Sequence, residues 1–185
     1  MPQRVCPWWL GYFLASPLRR LVEDPVKVVA PYVREGMTVL EPGPGMGFFT
    51  LELARLVGPS GRVVAVDIQP RMLSSLKRRA MQAGLLERMD ARLAAPGTMG
   101  VKDLTGAVDF TLAFALVHEL PAVEPFFTEV AMASKPGAGL LFAEPIGHVN
   151  AADFEAELAA AVRAGFKVVG RPAIRRSRAA FALRE

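Results

Sequence analysis

The sequence predicts an α/β fold: one doubly wound, mostly parallel sheet with helices on both faces and its last strand antiparallel. Three observations predict it. Short apolar runs alternate with stretches of helical periodicity between residues 37 and 165, the pattern of parallel strands joined by right-handed crossover helices. A glycine-rich turn, Glu41-Pro42-Gly43-Pro44-Gly45-Met46-Gly47, follows the first apolar run and precedes a helical stretch. At the C-terminus two strand-like runs succeed one another with no helix between them, which suits an antiparallel pair.

Each element has its own local reason. Asp24-Pro25 supplies a helix cap and a first-turn proline, with Val26, Val29 and Val33 at helical spacing; Pro31 should kink or shorten that helix. Met37–Glu41 reads as the first strand. A helix is expected from Phe48, with Phe49, Leu53, Leu56 and Val57 as its apolar stripe and Gly58 as its stop. Val63–Val66 is the second strand, and Pro70 opens a helix whose Met72, Leu73, Leu76, Ala80 and Ala83 should face the sheet, ending at Gly84. Asp90–Leu93 is expected as the third strand, followed by a Gly- and Pro-containing stretch to Gly106 with room for a weak helix. Val108–Phe114 is the fourth strand. Phe126, Phe127 and Val130 mark a helix stopped by Pro136-Gly137, and Gly139–Ala143 a fifth strand. Asn150 caps a helix with Phe154, Leu158, Ala161 and Val162 inward, closing at Gly165. Lys167–Gly170 and Ala179–Leu183 form the terminal pair.

Composition narrows the class. Of 185 residues, 52% are hydrophobic and 22% charged, which is a globular balance rather than a disordered one. No apolar stretch is long and uninterrupted enough to span a bilayer. The run from Cys6 to Ser16 contains Pro7 and Gly11 and lacks a small-residue cleavage motif, so a signal peptide is not expected. Cys6 is the only cysteine; an internal disulfide and a cysteine metal cluster are therefore excluded, multi-thiol arsenic chemistry is argued against, and a cytoplasmic home is expected. The net charge is +4. Lys77-Arg78-Arg79 and the group Arg171, Arg175, Arg176 and Arg178 read as solvated faces, with nucleic-acid contact possible but not indicated. Residues 24–185 are expected to form one domain, preceded by an aromatic arm over residues 1–23.

The glycine turn and Asp67 carry the chemistry. Gly43, Gly45 and Gly47 let the backbone turn sharply and approach a ligand. The helix beyond them offers unpaired N–H groups. Asp67, at the end of the second apolar run and twenty residues past Gly47, can accept hydrogen bonds from ribose hydroxyls. A dinucleotide loop would place its third glycine at position 48, where this chain has Phe48. Glu41 would sit badly beside a pyrophosphate and well beside a cationic amino-acid group.

At these residues the chain resembles the class I S-adenosylmethionine-dependent methyltransferases, over roughly residues 24–185. The resemblance implies the Rossmann-like methyltransferase variant of the fold, S-adenosylmethionine as cofactor and methyl transfer by in-line displacement. It implies a cofactor site at Glu41, Pro42, Gly43, Gly45, Gly47, Asp67 and Ile68, with Ile68 against the adenine face. After the third strand the family often carries an acidic or polar residue for the adenine amino group. Here the sequence is Leu93-Ala94-Ala95-Pro96, a departure that leaves backbone groups of Ala94 or Ala95 for the task. Phe114 and the stretch to Pro121 correspond to the border of the methyl-transfer centre. There His118 is a candidate general base or a structural histidine near the start of the next helix. Glu119 either orients His118 or faces water, and Glu144 either lines the substrate side or is a plain turn carboxylate. No metal is expected, since His118-Glu119 is an adjacent pair and His148 is the only other histidine. Trp9, Tyr12 and Phe13 belong to an arm that could cover the substrate, pack on the domain or meet a second copy.

A small-molecule acceptor is the expected substrate. The alternatives are an RNA or protein methyltransferase, an NAD-dependent oxidoreductase, and a cofactor-binding scaffold without catalysis.

Overall fold

The computed structural model describes residues 23–185. The aromatic arm with Trp9, Tyr12 and Phe13, and hence its reading as a lid, lies outside the described residues. Among the described residues seven strands are hydrogen-bonded in the order β3-β2-β1-β4-β5-β7-β6. The described residues divide by contact into two compact units, 23–95 and 96–185.

The first unit starts with α1 (Pro25–Val29). Asp24 accepts from the N–H groups of Val26 and Lys27, and the helix lasts five residues, because Pro31 cannot donate to the next turn. β1 (Thr38–Pro42) and β2 (Arg62–Asp67) pair in parallel from Thr38↔Arg62 to Pro42↔Val66, and β3 (Met89–Leu93) joins β2 in parallel. Between β1 and β2 lies α2 (Thr50–Leu56). It starts two residues later than Phe48, the expected start. Gly47 at φ +87° is not helical, so the first i→i−4 bond runs from Leu53 N–H to the Phe49 carbonyl. α3 (Pro70–Gln82) connects β2 to β3 and buries Met72, Leu73, Leu76 and Ala80. Ala83 is exposed, contrary to expectation: it is the cap residue past the last helical turn, off the apolar stripe.

In the second unit, β4 (Val108–Phe114) pairs in parallel with β5 (Ser134–Pro145). The stretch expected to hold a weak helix contains one 3₁₀ turn, Lys102–Leu104. α4 (Val123–Ala133) ends before the expected Pro136-Gly137 stop, and β5 begins earlier than Gly139. Ser134 is already extended and caps the helix by donating its hydroxyl to the Val130 carbonyl at 2.7 Å. Pro136 and Gly137 then fall where the ladder skips, between Val108↔Ser134 and Phe110↔Gly139. α5 (Ala151–Arg163) is capped by Asn150, which accepts from Asp153 N–H at 2.9 Å. Its Phe154, Leu158 and Ala161 are buried, whereas Val162 is half exposed and turned away from the core.

β6 (Phe166–Gly170) and β7 (Ser177–Arg184) form the expected antiparallel pair, and β7 lies antiparallel between β5 and β6. The core of this unit is aromatic. Phe127 meets Phe142 edge-on at 5.6 Å, and Phe142 stacks on Phe154 at 4.9 Å. Each ring buried this way contributes about 1.5–3 kcal/mol.

Candidate functional site

In the first unit, the ends of β1 and β2 present the residues singled out by the sequence. The turn after β1 is tied to β2 by Gly43 N–H donating to the Val66 carbonyl at 2.8 Å. Two glycines do distinct work there. Gly45 (φ +54°) has nothing within 4 Å of where a Cβ would stand, which leaves its backbone open to a ligand. Gly47 (φ +87°) has no such room, because a Cβ would collide with Leu76 Cδ1 of α3. Arg79, one turn further along α3, donates to the Met46 carbonyl. Thus α3 pins the turn at two adjacent residues.

Glu41 is buried, as are Asp67 and Thr50. Burial pushes the Glu41 carboxyl up from its ordinary 4.5 to about 8; the Thr50 hydroxyl opposes this and the Asp67 charge adds to it. Neither Glu41 Oε2 nor Thr50 Oγ1 has a hydrogen bond of good geometry among the described residues. A buried carboxylate oxygen without a partner costs about 1–3 kcal/mol or more. That oxygen can accept a hydrogen bond, and a cationic donor suits an ionised carboxylate best. Asp67 is held by Gln69 N–H donating to Oδ1 at 2.8 Å. Beside it Ile68 is 40% exposed, a large apolar side chain fit for one face of an aromatic base. The Ala94 N–H is already donated to the Asp67 carbonyl at 2.9 Å, so any backbone contact from Ala94 to a base must use its own carbonyl. Ala95 is exposed.

In the second unit, the turn after β4 is built around Glu144. Ala115 adopts φ +53°, a conformation that costs an alanine about 1–3 kcal/mol. Its N–H donates to the Ala143 carbonyl at 2.7 Å. The next two N–H groups, of Leu116 and Val117, both donate to Glu144 Oε1, at 3.1 and 2.7 Å. His118 Nδ1 bonds Glu144 Oε2. Glu144 is fully buried at the end of β5. It is neither the substrate-lining residue nor the plain turn carboxylate that its position suggested. It clamps a strained turn and orients His118, the role that sequence reasoning offered to Glu119.

The far nitrogen of His118, Nε2, lies 3.4 Å from His148 Nδ1. Glu157 of α5 has a buried Oε2 without a partner among the described residues. Its carboxyl is raised to about 7 by burial first, then by the Glu144 charge, with His118 opposing and Asp153 adding. The His118 imidazole is itself raised, chiefly by its bond to Glu144, against the opposing effect of burial; the charges of Glu144, Glu119 and Glu157 add to the rise. Sequence reasoning missed Thr50, Glu157 and the contribution of His148. No group of three or more metal-ligating side chains is assembled among the described residues, and no helix among them is long and apolar enough to cross a membrane.

Residues 33–176 match the family model described as a methyltransferase domain. The chain belongs to this family. An S-adenosylmethionine-dependent methyltransferase from Aquifex aeolicus superposes with a TM-score of 0.86 at 25% identity, covering 97% of this chain and 99% of that one. The family and this likeness imply S-adenosylmethionine as cofactor and bear out the Rossmann-like methyltransferase fold. Among curated relatives, arsenite methyltransferase of Halobacterium salinarum is 28% identical over 60% of this chain and 28% of its own length. The ubiquinone/menaquinone biosynthesis C-methyltransferase UbiE of Enterobacter sp. is 31% identical over 62% of this chain and 46% of its own. The matches thus span less than half the length of those relatives.

The methyltransferase-domain residues fit this cofactor on their own evidence. The unpartnered Glu41 oxygen suits an ammonium, Asp67 suits a ribose, and the open Gly45 backbone allows close approach. When bound, the cofactor supplies an electrophilic methyl group on a cationic sulfur.

Proposed function

We propose that the protein transfers the methyl group of S-adenosylmethionine to a small-molecule acceptor. The observation that carries the acceptor class is the state of the arginines. A nucleic-acid methyltransferase needs cationic side chains available to phosphates. Here Arg171 is engaged by Glu155 through two bonds of 2.6 and 2.8 Å, Arg163 by Glu124, and Arg92 by Asp90. Arg79, Arg88, Arg178 and Arg184 donate to backbone carbonyls. Seven guanidinium groups are therefore already engaged by partners of this chain rather than held open for phosphates, and the single Cys6 speaks against an arsenic substrate.

In this reading Glu41, Thr50, Asp67 and Ile68 hold the cofactor, while Pro42, Gly43, Gly45 and Gly47 shape the turn beneath it. Ala94, Ala95 and Phe114 remain proposed cofactor contacts. The Glu144–His118 pair stands at the stretch that borders methyl transfer in the family. Positioning supplies most of the rate, about 7–11 kcal/mol in favourable cases, because the leaving sulfur departs neutral and needs no acid.

The test is incubation with methyl-labelled S-adenosylmethionine and three separated pools: cellular RNA, cellular protein and a low-molecular-weight extract. Label appearing in the extract supports the proposal. Label in RNA or protein overturns the acceptor class, and binding of NAD in place of S-adenosylmethionine would overturn the cofactor.

A further inference from the structure

The second unit contains a chain of three side chains whose hydrogen-bonding roles can be worked out from one end. Glu144 is buried and both of its oxygens act as acceptors: Oε1 takes the Leu116 and Val117 N–H groups, and Oε2 faces His118 Nδ1. His118 therefore carries its proton on Nδ1, and its Nε2 presents a lone pair in the neutral ring. That lone pair faces His148 Nδ1 at 3.4 Å, with the two rings edge-on at 5.3 Å. For the contact to be a hydrogen bond, His148 must carry its proton on Nδ1. Its Nε2 is then bare. Both nitrogens of His118 are engaged, so of the two sequence readings of His118, general base or structural histidine, the first meets an obstacle in the geometry.

We infer that His148 is the proton acceptor of this site, with His118 and Glu144 as the positioning residues behind it. His148 is exposed, whereas His118 is partly buried and Glu144 fully so, so the chain runs from the interior outward and ends on an exposed histidine. The loop that carries His148 is fixed. His148 N–H and Val149 N–H both donate to the Pro145 carbonyl at 3.0 Å, Ile146 N–H donates to the Arg176 carbonyl, Val149 is buried, and Arg178 donates to the Val149 carbonyl at 3.1 Å. Ile146, 54% exposed, adds an apolar flank beside the histidine.

The inference rests on the methyl-transfer reading for its chemistry and narrows the acceptor to one that loses a proton, a hydroxyl or an amine. In the step, the X–H bond breaks and its proton moves to His148 Nε2. The electron pair of the broken X–H bond stays on X, which becomes the nucleophile for the methyl group that a bound cofactor would supply. The resulting imidazolium donates from Nδ1 to His118 Nε2, and Glu144 stabilises it through His118. Glu119 on the same turn and Glu157 on α5 also bear on His118 electrostatically and favour the charged pair.

The chain has only two histidines, so nitrogen-15 labelling of histidine gives two resolvable imidazoles, assigned with His148→Ala. In the intact protein, above the pH at which the pair loses its shared proton, both rings should show Nδ1–H and a bare Nε2. In Glu144→Gln the titration midpoint of His118, which Glu144 raises, should fall, and the Nδ1–H preference of His148 should be lost. A His148 protonated on Nε2, or two rings that titrate independently in the wild type, overturns the inference. The wild-type spectrum decides even if Glu144→Gln fails to fold. Calorimetry with S-adenosylmethionine on the same sample tests the methyltransferase reading separately: absent binding would sink that reading and leave the tautomer result standing. With an acceptor in hand, His148→Ala should lower kcat about 10²–10⁴-fold and leave cofactor affinity unchanged.

Discussion

Glu41 and Glu144 look alike in sequence and differ in what the fold does with them. Both end a buried parallel strand and both precede proline, in Val39-Leu40-Glu41-Pro42 and Phe142-Ala143-Glu144-Pro145. Both carboxylates are buried. Glu144 is surrounded by donors from its own chain, two backbone N–H groups and an imidazole. Glu41 Oε2 has no partner among the described residues, and the carboxyl is raised to about 8. The difference separates two states of a buried acid: one completes an internal network, while the other keeps an oxygen outside any network of the described residues.

The largest effect should come from breaking the satisfied member. Glu144→Ala strands two N–H groups and His118 beside a strained Ala115, and should cost about 3–5 kcal/mol in urea unfolding. Glu41→Gln, which removes a carboxyl that is already costly, should leave stability unchanged or higher; equal losses at the two sites would erase the distinction. Ligand binding should invert the ranking. Glu41→Ala and Asp67→Ala should each weaken S-adenosylmethionine by about 1.5–3 kcal/mol, read by calorimetry, whereas Glu144→Gln should leave that affinity close to wild type.

Acidity sharpens the contrast further. Glu41 is protonated in the folded chain up to about pH 8 and, once unfolded, only up to its ordinary 4.5. Its contribution to stability is therefore fully present below pH 4.5 and lost as the pH rises through 8. Glu41→Gln should flatten that part of the profile of Tm against pH. The same carboxyl must ionise to meet an ammonium, so cofactor affinity should climb about tenfold per unit as the pH approaches 8 from below. It should level off there, where an α-amino group begins to lose its own proton, at about 7.7–8.0. A flat affinity profile would mean that Glu41 does not face the cationic end of the cofactor. The smallest effect belongs to an exposed pair: Arg171→Ala, opposite a half-exposed Glu155, should change stability by about 0–1 kcal/mol.

Much of the architecture was legible before any coordinates, because it depends on local rules. The Asp24 cap, the Pro70 and Asn150 helix starts and the terminal strand pair all follow from residue chemistry and periodicity within a few positions. The misjudged boundaries have particular causes. Gly47 delayed α2 by its backbone conformation, and Ser134 ended α4 before Pro136 had any bearing. Ala83 and Val162 lie at the ends of their helices, where the apolar stripe has turned past the core. The proposed cofactor residues could be picked out for the same reason: Glu41, Gly43, Gly45, Gly47 and Asp67 occur in a short run and one strand later.

The sequence by itself determined the alternation of elements, the glycine turn and the kind of ligand that turn would suit, since all three are written in neighbouring residues. Only the tertiary structure decided which buried carboxylate was satisfied. His118, Glu144, His148 and Glu157 are spread over 40 positions, and no local rule couples a turn after one strand to the end of the next strand and the helix beyond it. Their meeting depends on the register of β4 against β5 and on the return of α5. That register placed Glu144, rather than the adjacent Glu119, against the His118 ring.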